Sequence, residues 1–494
     1  MLAWASGYNQ AMTTSVHLPD ARTCDRIRLA RDARFDGRFF TAVLTTGIYC
    51  RPICPAPPPR AENVRYFATA TEALSAGFRP CLRCRPESAP DSPAWLGTQT
   101  TVRRALNLMA HGEAQHGGLT VLSDRLGISS RHLRRLFQQH LGVSPQTFIL
   151  HRNLLFAKKL LTETRLPILD VALASGFNSR RRFNAAFQEN LQLNPGAIRQ
   201  AGQPETRGDC SLVLHYRPPF QWQAILAFYR ARCLDGIEYV DGLSYSRTFA
   251  IPGCQGSYRI SQHPDRHALI ADIQCDNPAT LQAVVAMVRQ QFDLDANPDL
   301  IRKVLQTHPA LRKIVRQYPG LRLPGIISEF EALIRAIAGQ QVSVQAARTL
   351  LRRLCERCAV SLPLAAGEGR PVLLFPGPEH ILNTSLEGLG FTGKRQLWMQ
   401  QIASRYAEGF SARSGDLNTS VALLQALPGI GQWSAHYIAM RAFGEPDAFP
   451  TADLGLLNAL RNPERPTPGE LQTMAHAWRP WRAYATFYLW QYLH

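Results

Sequence analysis

Leu427-Pro428-Gly429-Ile430-Gly431-Gln432-Trp433-Ser434-Ala435-His436-Tyr437 is the stretch that decides the fold of the C-terminal half. It reads Pro-Gly-apolar-Gly between two segments of helical periodicity, the pattern of a helix–hairpin–helix. Glycines in such a turn let backbone amides approach a DNA phosphate at a helix N-terminus with no Cβ in the way. Downstream comes Phe449-Pro450-Thr451-Ala452-Asp453-Leu454-Gly455. An aspartate there can begin a helix where the dipole favours it. From about residue 280 onward the apolar residues recur at three- and four-residue spacing, so nearly all of this half is expected to be helical. Before it, Leu212-Val213-Leu214-His215-Tyr216 and the alternating residues up to about 275 predict strands with one or two helices.

Further outward, residues 119–141 and 168–191 are two versions of one pattern. The first contains Leu126-Gly127-Ile128-Ser129-Ser130-Arg131-His132-Leu133-Arg134-Arg135-Leu136-Phe137 and the second Ala174-Ser175-Gly176-Phe177-Asn178-Ser179-Arg180-Arg181-Arg182-Phe183. Each supplies an apolar helix, a turn glycine, a serine able to cap and a second helix loaded with arginine, which is a helix-turn-helix. The copies close alike, with Gly142-Val143-Ser144-Pro145 in one and Leu191-Gln192-Leu193-Asn194-Pro195 in the other. A tandem pair with these endings resembles the AraC-type DNA-binding domain over about residues 100–200. The resemblance implies second helices that enter the major groove, with Arg131, His132, Arg134, Arg135, Ser179, Arg180 and Arg181 as candidates for base or phosphate contact.

Near the N-terminus, Cys50-x-x-x-Cys54 and Cys81-x-x-Cys84 set four thiols in two tight pairs, and two such loops make the tetrahedral cage that zinc prefers. Cys24, Cys210, Cys233, Cys254 and Cys275 are scattered singly, while Cys355 and Cys358 fall in a stretch that reads as helix, where packing accounts for them. The odd total of eleven cysteines argues against a secreted disulfide framework and for a reducing cytoplasm. No apolar run reaches membrane-spanning length, and the first residues lack the basic-then-apolar pattern of a signal peptide. Lys plus Arg is 55 against 37 Asp plus Glu, a formal charge of +18 that points to a polyanionic partner. A chain of 494 residues exceeds one hydrophobic core, and the polar, Pro- or Gly-rich stretches 86–93 and 200–208 read as linkers.

The words around the thiols, Thr45-Thr46-Gly47-Ile48-Tyr49-Cys50-Arg51-Pro52 and Gly77-Phe78-Arg79-Pro80-Cys81-Leu82-Arg83-Cys84, resemble the N-terminal zinc domain of the Ada methylation-response family. That resemblance implies one Zn2+ per chain held by Cys50, Cys54, Cys81 and Cys84. It also implies that Cys50 irreversibly accepts a methyl group from a DNA methylphosphotriester, and that Arg79 is a DNA contact. The Pro-Cys-His-Arg string of the second Ada methyltransferase domain is absent, so repair of O6-methylguanine is not expected. In the C-terminal half, the hairpin and Asp453 stand with Gly339-Gln340-Gln341-Val342-Ser343, Leu321-Arg322-Leu323-Pro324-Gly325 and Tyr216-Arg217-Pro218-Pro219-Phe220-Gln221-Trp222. Together they are similar to the AlkA-type 3-methyladenine DNA glycosylases over about residues 210–494. This implies catalysis by Asp453, a damaged-base pocket lined by Phe228, Trp433, Tyr437 and Trp490, and DNA contacts from Gly429 and Gly431. Gln341 stands where the family places an apolar wedge. Strand-cutting relatives carry a Schiff-base lysine early in the second hairpin helix; Trp433 in that place implies base removal alone.

The expected architecture is multidomain and mainly α. A small α+β zinc domain (17–90) precedes a tandem helix-turn-helix domain (96–200), an α+β domain of the TATA-binding-protein-like kind (210–288) and an all-α helix–hairpin–helix glycosylase domain (289–494). The expected function is a bifunctional alkylation response, coupling methyl transfer to transcriptional activation and excising alkylated bases. The alternative is a regulator whose glycosylase-like half is an inactive DNA-binding arm. Expected partners are alkylated and promoter double-stranded DNA and RNA polymerase, with no membrane, for a cytoplasmic, nucleoid-associated monomer.

Overall fold

A computed structural model of the chain describes residues 18–84, 86, 100–110, 113–126, 128–201, 210–362, 371–414, 416–461 and 464–492. The expected linkers therefore lie almost wholly outside the described residues, as does the turn glycine Gly127. The chain divides into two compact units, one formed mainly by residues up to Glu205 and the other by nearly all that follows. No described helix is long and apolar enough to cross a membrane.

In the first unit, strands β1 (Phe40–Val43), β2 (Ile48–Cys50), β3 (Val64–Phe67) and β4 (Arg79–Pro80) form a sheet in the order β3-β1-β2-β4. β1 and β2 pair antiparallel across a turn in which Gly47 takes φ +63°, and β4 joins β2 in parallel. Helix Ala21–Leu29 buries Cys24 and Ile27 against Phe39, so the lone Cys24 is core. The helical part of this unit carries two short hairpins bracketing a long helix, Pro145–Glu163. Ser129 and Ser179 begin the arginine-loaded helices Ser130–Leu141 and Arg180–Leu191, each hydroxyl oxygen accepting from a backbone N–H three residues on. Leu133, Phe137 and Leu141 close one hairpin; Phe183, Phe187 and Leu191 close the other. The two copies end alike, with Gly142 and Gln192 as matching left-handed caps at φ +70° and +54°, donating to the equivalent carbonyls of Gln138 and Gln188. A glutamine occupying the glycine conformation hides the match from a residue-by-residue comparison.

The second unit opens with strands β5 (Ser211–His215), β6 (Glu238–Val240), β7 (Ser244–Ile251), β8 (Cys254–Gln262) and β9 (Ala268–Cys275), an antiparallel sheet in the order β5-β9-β8-β7-β6. Alternate residues Tyr245, Phe249, Tyr258, Ile260, Leu269, Ala271 and Ile273 are buried. Helices Trp222–Arg230 and Leu281–Gln291 supply further core, with Tyr229 packed on Tyr245 and Phe292. The sheet is tied to the helices that follow by a largely buried charge cluster. Arg247 pairs with Glu238 and Glu331, and Arg335 pairs with the same two carboxylates. Arg335 holds Glu238 down at about 2 despite the opposing effect of burial. Breaking one member would leave a buried charge uncompensated, the costly case. Glu331 and Arg335 both lie on helix Glu329–Ala338, which is thereby held at its middle while its C-terminal end leads to Gln341.

Candidate nucleic-acid interface and reactive centres

The cage in the first unit is built by strand register. Cys50 ends β2, and Cys81 follows β4, whose parallel pairing with β2 continues through the Cys81 N–H donating to the Tyr49 carbonyl at 3.0 Å. The four sulfurs of Cys50, Cys54, Cys81 and Cys84 all lie within 4.8 Å of one another. A tetrahedral set with Zn–S bonds of about 2.3 Å needs sulfurs about 3.8 Å apart, so the donor set fits zinc. The thiols are too close to ionise independently: hydrogen bonds with Cys50, Cys54 and Cys84 pull Cys81 far down, while burial pushes Cys84 well up. The environment is asymmetric. The Arg51 N–H donates to the Cys84 sulfur at 3.3 Å, and its guanidinium donates to the Cys84 carbonyl while pairing with buried Asp36. Lys158, fully buried on helix Pro145–Glu163, donates to the Cys81 carbonyl at 3.2 Å. Cys81 and Cys84 are buried; Cys50 and Cys54 are half-buried. Arg79 is half-buried on the edge strand β4. Arg131, Arg134, Arg135, Arg180 and Arg181 are exposed on their two helices, with His132 half-buried beside Arg135. Ser179 spends its hydroxyl oxygen on the cap.

In the second unit, helix Leu417–Gln425 and helix Gln432–Ala442 flank the hairpin turn. Gly429 has φ +78°, and a Cβ there would lie 2.4 Å from the ring of Trp398. Gly431 differs: its backbone is ordinary, it begins the second helix, and a Cβ would meet nothing within 4 Å. On successive turns at the start of that helix, Trp433 and Tyr437 stack at 5.1 Å between centroids with ring planes 10° apart. Asp453 is 8% exposed and begins helix Leu454–Ala459. Its Oδ2 accepts from the Trp433 indole N–H at 2.8 Å; its Oδ1 accepts from the Trp490 indole N–H at 3.0 Å and the Leu456 N–H at 2.9 Å. Phe228 reaches this cluster through Phe487, at 5.1 Å, which in turn lies 6.3 Å from Trp490. The structure thus brings Asp453, Trp433, Tyr437 and Trp490 into one group, with Phe228 at its far side.

Several residues of this site escape a sequence reading. The Arg232 guanidinium lies 3.8 Å from the Phe228 centroid and the Arg441 guanidinium 4.7 Å from it, so the Phe228 ring already carries two cations. Arg441 also donates to the Tyr437 hydroxyl at 2.7 Å. The one available signal was spacing, since Tyr437 and Arg441 are an i,i+4 pair on helix Gln432–Ala442, whereas Arg232 lies in the turn just beyond the helix of Phe228. Gly455 is needed for a different reason: a Cβ there would come within 2.9 Å of the Asp453 Oδ1 and 3.3 Å of Trp490. His436 accepts from the Phe449 N–H through Nδ1 at 3.2 Å, bracing the segment that leads to Asp453, and burial pushes its pKa down to about 4.

A thiolate cage joined to a tandem helix-turn-helix, in one chain with a hairpin unit whose buried carboxylate sits among aromatic rings, defines a DNA-directed protein with two reactive centres. Comparisons agree at each part. Family models match for the metal binding domain of Ada (residues 23–87), a helix-turn-helix domain (122–201) and the AlkA N-terminal domain (211–328). A protein of Mycobacterium tuberculosis named a probable bifunctional transcriptional activator/DNA repair enzyme AlkA is 36% identical over 95% of this chain and 96% of its own. DNA-3-methyladenine glycosylase 2 of Escherichia coli is 32% identical over 56% of this chain and 96% of its own. The bifunctional transcriptional activator/DNA repair enzyme Ada of Escherichia coli is 43% identical over 24% of this chain and 32% of its own. The chain belongs to the family of bifunctional AlkA-type transcriptional activator/DNA repair proteins.

Proposed function

We propose that the chain senses DNA alkylation through Cys50 and excises alkylated bases through Asp453. The four-domain division into 17–90, 96–200, 210–288 and 289–494, with a TATA-binding-protein-like α+β part, belongs to this reading. Zinc, when bound, keeps its cysteine ligands deprotonated and nucleophilic at neutral pH. The Cys50 sulfur attacks the methyl carbon of a methylphosphotriester; the S–C bond forms as the C–O bond breaks, and the phosphodiester leaves with the electron pair. Half-burial of Cys50 and Cys54, against the buried Cys81 and Cys84, supports an acceptor in the first pair, and the resemblance to Ada assigns it to Cys50. The tandem helices read promoter DNA and engage RNA polymerase as a monomer in the cytoplasm.

The single observation that carries the glycosylase reading is the Asp453 carboxylate held between two indole N–H donors. A ring-alkylated base is cationic and leaves easily once the nucleotide is extruded. The carboxylate stabilises the oxocarbenium-like sugar and orients the attacking water, releasing the free base and an abasic site. Trp433, Tyr437 and Trp490 offer electron-rich faces to such a base. The test is incubation of the full chain with methylated duplex DNA. The expected results are a one-methyl mass gain on Cys50 and released alkylated bases. Cys50→Ser abolishes only the first, and Asp453→Asn slows the second by roughly 10²–10³-fold. Base release at the original rate from Asp453→Asn would return the hairpin half to the role of an inactive DNA-binding arm.

A further inference from the structure

Helix Glu329–Ala338 ends in a tight turn before helix Val344–Cys358, which Ser343 caps by accepting from the Ala346 N–H. At the apex Gln341 is exposed and has φ +54°, a left-handed conformation in which side chains other than glycine, asparagine and aspartate are disfavoured. The same conformation caps a helix at Gln192, so at Gln341 its meaning is set by what surrounds it. The surroundings here are specific. The Gln340 side-chain amide donates to the Gly429 carbonyl at 2.7 Å. The Arg395 guanidinium donates to the Gln340 carbonyl. Arg395 lies in the first turn of helix Gly393–Ala407, the helix that carries Trp398, and Trp398 fills the space beside Gly429. Gln340, Gly429, Trp398 and Arg395 therefore close a ring of contacts joining three separate segments: the Gln341 turn, the hairpin turn and the start of helix Gly393–Ala407.

We propose that Gln340 and Arg395 are positioning residues that lock the Gln341 turn in register with the hairpin, so that the wedge enters the duplex as the Gly429–Gly431 amides seat on the backbone. The proposal rests on the glycosylase reading above and on Gln341 as the wedge. Extrusion of a paired nucleotide needs a filler for the vacated stack, and a polar glutamine has less to gain from unstacking than an apolar wedge. Holding its backbone rigidly limits the conformational freedom lost on insertion.

The test uses the full chain and one alkylated base presented in two ways, in a fully paired duplex and in a bulge whose bases are already unstacked. Single-turnover base release is the readout. Gln340→Leu and Arg395→Met are each expected to slow release from the duplex by about ten- to a hundredfold, several times more than from the bulge. Arg395→Lys should recover part of the loss. Gln341→Ala should show the same preference for harming the duplex reaction. If Gln341→Ala leaves duplex release at the original rate, the wedge reading fails and the proposal with it. If Gln341→Ala harms the duplex reaction while Gln340→Leu and Arg395→Met do not, the positioning role alone is overturned. Equal losses on duplex and bulge for those two variants would mark general disruption and overturn it as well.

Discussion

Asp453 accepts three hydrogen bonds from three N–H groups that can only donate. An Asp453→Asn change keeps shape but turns one oxygen into an NH2, which then faces an indole or amide N–H; the mismatch alone costs about 1–3 kcal/mol. Loss of activity in that variant must therefore be judged beside its stability. His436 gives a prediction with a sign. Its pKa is pushed down to about 4 by burial, with Arg482 adding to the effect, whereas in an unfolded chain it lies near 6.5. Between those values the unfolded chain binds a proton that the folded chain refuses, so stability falls as pH drops from about 6.5 towards 4 and levels off below. Protonation would also remove the acceptor for the Phe449 N–H. Urea melts at several pH values, followed by tryptophan fluorescence, should show this slope, because six of the eight tryptophans lie in the second unit. His436→Asn, which keeps an acceptor without the titration, should flatten it; an unchanged slope would assign the effect elsewhere.

At the scale of an element, the hairpin separates two glycines that look alike in sequence. Gly429 is demanded by the fold, through φ +78° and the Trp398 ring. Gly431 has an ordinary conformation and open space around it. Gly429→Ala is expected to lower the melting stability by about 2 kcal/mol or more. On the proposed function, Gly431→Ala should leave stability nearly unchanged while weakening binding to an abasic-site duplex, because a Cβ there enters the open space that this reading leaves for a phosphate at the helix N-terminus. Equal behaviour of the two variants in melting and anisotropy measurements would contradict this division. The motif Pro-Gly-apolar-Gly was legible because the turn is local. Which glycine serves the fold was not, because Trp398 comes from another helix. Serines expected only as possible caps became definite ones at Ser129 and Ser179 for the same local reason: each needs just the backbone N–H three residues on.

For the whole molecule, the excess of basic residues and the net negative charge of a four-thiolate zinc site oppose one another near DNA. Methylation of Cys50 removes one negative charge, so promoter affinity should rise several-fold, with a steeper dependence on salt as one more phosphate contact becomes favourable. Anisotropy titrations at two salt concentrations, before and after reaction with methylated DNA, measure both. Equal affinities would sink the switch, and Cys50→Ser should show no change on exposure to methylated DNA.

Much of this protein was determined by sequence alone: the order of cage, tandem hairpins, strands and helices, and the four zinc ligands, which rest on spacings of a few residues where chain geometry leaves little choice. Asp453 was singled out by a family resemblance, and its role stays with the proposed function. Tertiary structure decided the rest. It placed Arg232 and Arg441 on the Phe228 ring and made Gly455 indispensable beside Trp490. It also placed the scattered Cys254 and Cys275 on the paired strands β8 and β9, each thiol donating to a nearby backbone carbonyl. It tied Gln340 to Gly429 across the fold. Each of these depends on which surfaces meet when distant segments pack, and no local period records that.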